Sequence, residues 1–313
     1  MMKKDSLDFL RELTQSVSPS GFEEDAINIW KQRTKHITDD VSIDVLGNVT
    51  AVLNKSGSPR IMLAGHIDEV GFMVKYIDKD GYIYFSTIGG IDLHLVPGQR
   101  VWIKTKKGKI LGVIGKKPVH LLEEEEKKTV AKLEDLWIDI GINNKKRVES
   151  LLHIGDPVVP AVGLEVMNDD IVIGRGFDDK TGAFVISETL RILSQKKISS
   201  CVYGVATVQE EIGLRGAKAS AYGLSPDIGI AVDVTFASDF PSVDKRKTGD
   251  IHIGKGPVIV RGPNIHPKIF HLFVETAKKE KIPYQIEGIS KATGTDANVI
   301  QLTKSGIVTG LIS

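Results

Sequence analysis

Two adjacent acids, Glu210 and Glu211, stand at the end of an apolar, β-branched run that begins at Cys201, and Gly213 follows them. Successive side chains on an extended backbone point to opposite sides, so one carboxylate of such a pair can bind a metal while the other moves a proton. Taken alone, the pair reads rather as the solvated end of a strand, because charged residues are mostly exposed. Other strand ends repeat the pattern. His66 and Asp68 follow the apolar run Ile61 to Ala64, Asp178 and Asp179 follow Ile171 to Ile173, and Asp233 follows Val232. In an open α/β sheet the ligand crevice lies outside the carboxyl ends of the strands, where these groups can converge. One imidazole with several carboxylates and no thiolate suits zinc, cobalt or manganese. The acids outnumber the needs of one cation, which predicts two metal ions sharing a bridging carboxylate. Without metal they would repel one another and raise their pKa values.

The elements that must position these groups follow from periodicity. Leu7, Leu10, Leu13 and Val17 recur at helical spacing until Ser18-Pro19-Ser20-Gly21 breaks the pattern, and Glu23 to Ile37 reads as a second helix. Val41 to Val45 and Val49 to Leu53 predict a hairpin, and Ile61 to Ala64 a buried strand. From Val70 the pattern turns to antiparallel hairpins around Asp80-Gly81 and Lys107-Gly108, an all-β module inserted between strands of another domain. The run Glu123-Glu124-Glu125-Glu126-Lys127-Lys128 reads as a solvated helix face or mobile loop. After Pro160 the elements alternate: Ile171 to Ile173, a helix carrying Ala183, Ile186, Leu190 and Leu193, the strand at Cys201, the strand Ile228 to Val232, a helix from Pro267 to Lys281 and a strand from Gly306 to Ile312. This alternation predicts an α/β fold with a mostly parallel sheet covered by helices and an inserted antiparallel β-barrel domain. The expected division is 1–69 and 163–313 for the catalytic domain and 70–162 for the insert.

Composition narrows the partners. The 313 residues hold 41 Lys plus Arg against 40 Asp plus Glu, a balance that favours a small molecule or peptide over nucleic acid or an anionic membrane. Cys201 is the single cysteine and sits inside an apolar run, which reads as a core residue in a reducing compartment. With neither a signal peptide nor a membrane-length apolar run in the sequence, the expectation is a soluble cytoplasmic protein. Asn48-Val49-Thr50 matches a glycosylation acceptor only by chance on that reading.

Six ordered motifs carry a resemblance: Ser18-Pro19-Ser20-Gly21 with Glu23-Glu24, Gly65-His66-Ile67-Asp68-Glu69-Val70-Gly71, Gly174-Arg175-Gly176-Phe177-Asp178-Asp179-Lys180, Gln209-Glu210-Glu211-Ile212-Gly213, Val232-Asp233-Val234-Thr235 and Gly294-Thr295-Asp296-Ala297. The chain resembles, over nearly its whole length, the tetrahedral (dodecameric) di-metal aminopeptidases, also described as glutamyl or deblocking aminopeptidases or endoglucanases. The resemblance implies a zinc-peptidase-like catalytic domain and two divalent metal ions, zinc or cobalt with manganese possible. It implies that His66 and Asp233 bind one metal, Asp178 bridges both and Glu211 binds the second. Glu210 would be the general base toward a metal-bridged water, and Asp68 would hydrogen-bond the His66 ring. It further implies short peptide substrates and a homo-oligomer in which the β-module pairs subunits and dimers build a tetrahedral dodecamer.

The family places one more metal-ligating histidine shortly after the last strand, where this sequence reads Leu311-Ile312-Ser313. Either the chain continues past Ser313, or the second metal keeps only Asp178 and Glu211, is loosely held and supports low activity. Two rivals remain open: an endo-glycosidase pairing Glu210 with Asp178 or Asp233, and a non-catalytic assembly subunit. The remaining histidines, among them His94, His120, His252 and His266, read as surface or satisfied core residues. Asp179 orients either His66 or a helix N-terminus, and Asp296 is expected to cap the helix after it.

Overall fold

A computed structural model of the protein describes residues 3–168 and 170–313. The N-terminal amphipathic pattern forms α1 (Lys4–Gln15), and α2 (Glu24–Lys35) follows with Glu24 and Asp25 in its first turn and Arg33 and Lys35 in its last, each sign where the helix dipole favours it. The strands β1 (Val41–Ile43) and β2 (Val49–Leu53) form the expected antiparallel hairpin, and β3 (Arg60–His66) carries the next apolar run.

The alternating segment then folds as β4 (Gly71–Ile77), β5 (Ile83–Ile88), β6 (Arg100–Thr105), β7 (Gly108–Lys116), β8 (Leu136–Asp139), the short α3 (Lys145–Glu149) and β9 (Pro157–Pro160). These six strands close into a barrel in the order β4-β5-β8-β7-β6-β9. Alternate residues point inward: Phe72 and Val74, Ile83 and Phe85, Val101 and Ile103, Leu136 and Ile138 share one core. Phe72 meets Phe85 edge to face at 5.0 Å. The acidic run outside it forms exposed 3₁₀ turns in which Lys117 pairs with Glu126, Lys127 with Glu124 and Lys128 with Glu125.

Beyond the barrel come β10 (Glu165–Asn168), β11 (Ile171–Ile173), α4 (Phe177–Leu193), β12 (Cys201–Thr207), α5 (Arg215–Leu224), β13 (Ile228–Val232), α6 (Lys245–Thr248), β14 (Val258–Arg261), α7 (Pro267–Lys279), β15 (Gln285–Gly288), α8 (Asp296–Gln301) and β16 (Val308–Ile312). The main sheet runs β1-β2-β12-β3-β13-β16-β14-β15. Its centre, β12, β3, β13 and β16, is parallel, and antiparallel pairings join β2 to β12 and β16 to β14. One expectation needs correction. Ile171 to Ile173 lies outside the main sheet: among the described residues β11 pairs with β10 in a two-stranded ribbon, and with three residues, two of them exposed, it has too little apolar surface to bury in a sheet centre.

Helices cover both faces of the main sheet, and side-chain parity shows which. A Cβ on Gly65 would press on the backbone of Gly182 and Ala183, so β3 and α4 touch through two residues without side chains. Met62 and Ala64, on the opposite face of β3, pack with Ala217 and Ala221 of α5 and Ile300 of α8. Among the described residues no helix is long and apolar enough to cross a membrane.

The chain divides into two compact units, one made of Thr14–Ala26 and Asp68–Gly176, the other of residues 3–13, Ile27–Ile67 and Phe177–Ser313. The barrel lies in the first unit and the main sheet in the second.

Candidate metal centre

Parallel pairing aligns the carboxyl ends of β12, β3 and β13. His66 closes β3 opposite Thr207 of β12, and Ala64 lies opposite Ala231 of β13. Two residues further along each strand, His66 and Asp233 come level. Asp178 arrives by another route, from the first turn of α4, where Asp178 (φ −84°, ψ 107°) and Asp179 (φ −122°, ψ 39°) leave helical geometry and share a cis peptide bond. The Gly65–Gly182 contact lets this turn approach β3. The His66 Nε2 atom then lies 3.0 Å from Asp178 Oδ1 and 3.8 Å from Glu210 Oε2. One donor atom each from His66, Asp178 and Asp233 fall within 4.8 Å of one another. His66 and Asp233 are buried, while the Asp178 side chain is 59 % exposed, so the cluster opens on one side.

The electrostatics of this cluster suit a cation. The Asp233 carboxyl is pushed up to about 7, chiefly by burial; His66 and the Val234 N–H pull against the rise, and the charges of Asp178 and Asp296 add to it. Fully buried Asp179 is also raised well above the carboxylate range, first by desolvation and then by the charge of Asp233. One imidazole and two carboxylates form a donor set that zinc, cobalt and manganese accept, and a bound divalent ion would remove the penalty of gathering these acids.

Glu210 follows β12 in a tight turn. Gln209 has φ +56° and Gly213 φ +122°, a value suited to glycine, and the N–H groups of Gly213 and Leu214 both donate to the Glu210 carbonyl. The turn leaves Glu210 buried. Glu211 is half-buried and lies outside the group formed by His66, Asp178 and Asp233. Asp179 settles between its two expected roles by taking both: Oδ2 accepts the backbone N–H of His66 at 3.2 Å and Oδ1 accepts that of Gly182 in the α4 first turn at 2.9 Å.

Asp68 falls in the barrel-containing unit, where it is fully buried and accepts the Ser20 hydroxyl at 2.6 Å. Beside it the structure holds an ion pair that sequence reasoning missed: Arg175 Nη1 donates to Glu69 Oε1 at 2.6 Å, and Nη2 donates to the carbonyls of Gln15 and Ser16. The Ser18 N–H donates to the same Glu69 oxygen at 3.2 Å, so the Ser-Pro-Ser-Gly motif and the Gly-Arg-Gly motif meet on two consecutive acids. Each residue stands in one of the ordered motifs, but 106 residues of sequence separate Glu69 from Arg175 and nothing local pairs them.

Other expectations are corrected or filled in. Asp296 does not take the N-cap position of α8, which belongs to Thr295; it stands in the first turn, and its Oδ2 accepts the Thr207 hydroxyl at 2.5 Å. Asn48 is fully buried, donates to Asp44 and accepts the Val208 N–H, which leaves no room for a glycan. His94 pairs with Asp92, His252 with Asp250, and His266 accepts the Lys268 N–H at the start of α7. Cys201 is buried as a core residue.

The chain is similar to known proteins over nearly its whole length. Residues 47–313 match the M42 glutamyl aminopeptidase family. Lysyl aminopeptidase of Pyrococcus furiosus is 36 % identical over 310 residues, which cover 98 % of this chain and 88 % of that protein. The crystal structure of a TET aminopeptidase from a marine sediment archaeon of the Thaumarchaeota superposes with a TM-score of 0.94 at 35 % identity, covering 99 % of this chain and 88 % of the other. The Pyrococcus horikoshii TET1 peptidase, which can assemble into a tetrahedron or a large octahedral shell, superposes with a TM-score of 0.84 at 32 % identity, covering 98 % of this chain and 90 % of the other. By the span of that match and the identity of these relatives, the chain belongs to the M42 glutamyl aminopeptidase family.

Proposed function

We propose that the protein is a two-metal aminopeptidase that removes N-terminal residues from short peptides. Family membership supports the aminopeptidase activity, and the convergence of His66, Asp178 and Asp233 beside Glu210 is the observation that carries the metal dependence. When bound, two divalent ions would polarise the scissile carbonyl, lower the pKa of the attacking water and anchor the substrate amine.

The chain's own residues divide the remaining work. His66 and Asp233 would hold the first ion from buried positions, and the Asp179 carboxylate accepts the backbone N–H of His66. Asp178, the exposed member, is assigned to both ions and Glu211 to the second, which these residues would hold when it is bound. Asp68, two residues beyond His66 in sequence, is assigned to fix the tautomer of its ring. Glu210 takes the proton of the attacking water and returns it to the leaving amine. Glu210 is buried, and its Oε2 lies 3.8 Å from His66 Nε2, beside the cluster where the water would be held. The glycosidase alternative would leave the imidazole at the centre of the cluster without a task.

The ability of the horikoshii TET1 peptidase to form closed shells supports a homo-oligomer, with the barrel unit as the pairing element and a tetrahedral dodecamer as the expected assembly. Such a shell would admit short peptides and exclude folded proteins.

The test is hydrolysis of an aminoacyl-p-nitroanilide panel by chelated protein before and after addition of zinc or cobalt, with Glu210→Gln and His66→Ala alongside. Activity restored by metal and lost in both variants is the expected result. Cleavage that survives chelation or Glu210→Gln would overturn the assignment.

A further inference from the structure

Thr207 and Asp296 are joined by a hydrogen bond that the chemistry above does not use. Thr207 ends β12 and is fully buried, and its hydroxyl donates to Asp296 Oδ2 at 2.5 Å across 89 residues of sequence. A hydroxyl bound so closely to a carboxylate lies in the range of charge-assisted bonds, which are stronger and more directional than neutral ones. Asp296 is itself 1 % exposed. It begins α8, a helix of six residues that packs on β3, β13 and β16.

The bond lands at the point where the metal donors diverge. Thr207 is the strand partner of His66, and the Thr207 carbonyl accepts the N–H of Ile67 at 2.8 Å, so the peptide that follows His66 hangs on this residue. The next residue, Val208, is held by its N–H to Asn48 Oδ1 at 3.0 Å, and Glu210 lies two residues further on. One buried bond therefore ties together the strand end beside His66, the turn that carries Glu210 and the helix that packs on β13.

Resting on the proposed metal centre, we infer that Thr207 and Asp296 are positioning residues: their hydrogen bond fixes the ends of β3 and β12 in the spacing that lets His66 and Glu210 meet one metal site. Neither side chain is assigned contact with metal or substrate. The role is orientation, in which a lost bond loosens the donors without removing one.

The experiment titrates Co²⁺ into the chelated full chain by calorimetry and follows the visible absorption of the bound ion, with the thermal midpoint of the metal-free protein measured in parallel. Thr207→Val, which removes the hydroxyl at nearly constant shape, is expected to weaken Co²⁺ binding by about 10-fold to about 100-fold and to alter the absorption bands. Thr207→Ser restores the hydroxyl and is expected to bind within about threefold of wild type, a rescue that a packing role would not produce. Asp296→Asn, with the charge removed, is expected to weaken binding by at least about 10-fold. A Thr207→Val protein that melts earlier yet binds Co²⁺ with wild-type affinity and spectrum overturns the inference alone. A wild-type chain that binds no Co²⁺ overturns the metal reading and this inference with it. If Thr207→Val does not fold, Asp296→Asn decides by the same outcomes.

Discussion

Each of the two units buries carboxylates, and they do so by opposite means. In the barrel-containing unit Glu69 is answered by Arg175 and by the Ser18 N–H, so its charge is compensated within the chain. In the unit of the main sheet Asp233 and Asp179 sit among other acids, and burial and the charges of neighbouring carboxylates push both upward. A buried ion pair of the first kind locks segments together. A cluster of the second kind leaves charge uncompensated within the chain, which is what the proposed metal centre requires and a strut does not.

The comparison can be broken first at the reacting group. Glu210→Gln should lower kcat by about 10²-fold to about 10⁴-fold while leaving metal affinity close to wild type, as read by steady-state kinetics and calorimetric titration. Equal losses of rate and metal would make Glu210 a ligand instead. Next in size is the strut. Arg175→Met strands a buried carboxylate and should cost about 3–5 kcal/mol in denaturant unfolding, whereas Arg175→Met with Glu69→Gln should recover much of that loss. A double variant as unstable as the single one would show that the pair is not compensated in this way.

The cluster makes a prediction about pH. In chelated protein, folded Asp233 keeps its proton up to about 7 while the unfolded chain releases it near 3.8. The folded state therefore binds more protons across that window, and its stability should fall as pH rises from about 4 to about 7, by a few kcal/mol at most. Buried Asp179 acts in the same direction. Asp233→Asn should flatten the slope, and added Zn²⁺ should reverse it, because binding releases the protons. A wild-type profile already flat in chelator would remove the argument for uncompensated charge. The smallest effect belongs to the solvated acidic turns: Glu124→Gln, in an exposed pair with Lys127, should leave activity and thermal midpoint unchanged within error.

Much of this was legible before folding. The barrel announces itself in the two-residue alternation of Phe72 to Phe85 and Val101 to Ile114, and the sheet in apolar runs that stop at acids. His66, Asp178 and Asp233 stand out because each follows such a run or opens a helix. The weak point was Ile171 to Ile173, where a short apolar run before two acids looks the same in a ribbon as in a sheet centre. Asp178 reaches the cluster from a helix start instead, and no local pattern distinguishes these two origins.

Sequence alone determined the element types, the alternation that makes the barrel and the parallel sheet, and the set of acids available for chemistry, because these depend on neighbours a few residues apart. Only the tertiary structure decided which acids share a centre, that Arg175 answers Glu69, and that Thr207 answers Asp296. Such pairs span 112 residues between His66 and Asp178, 106 between Glu69 and Arg175 and 89 between Thr207 and Asp296. Strand register and the close approach at Gly65 and Gly182 set their meeting. Both are properties of packed elements, and neither exists in any one of them.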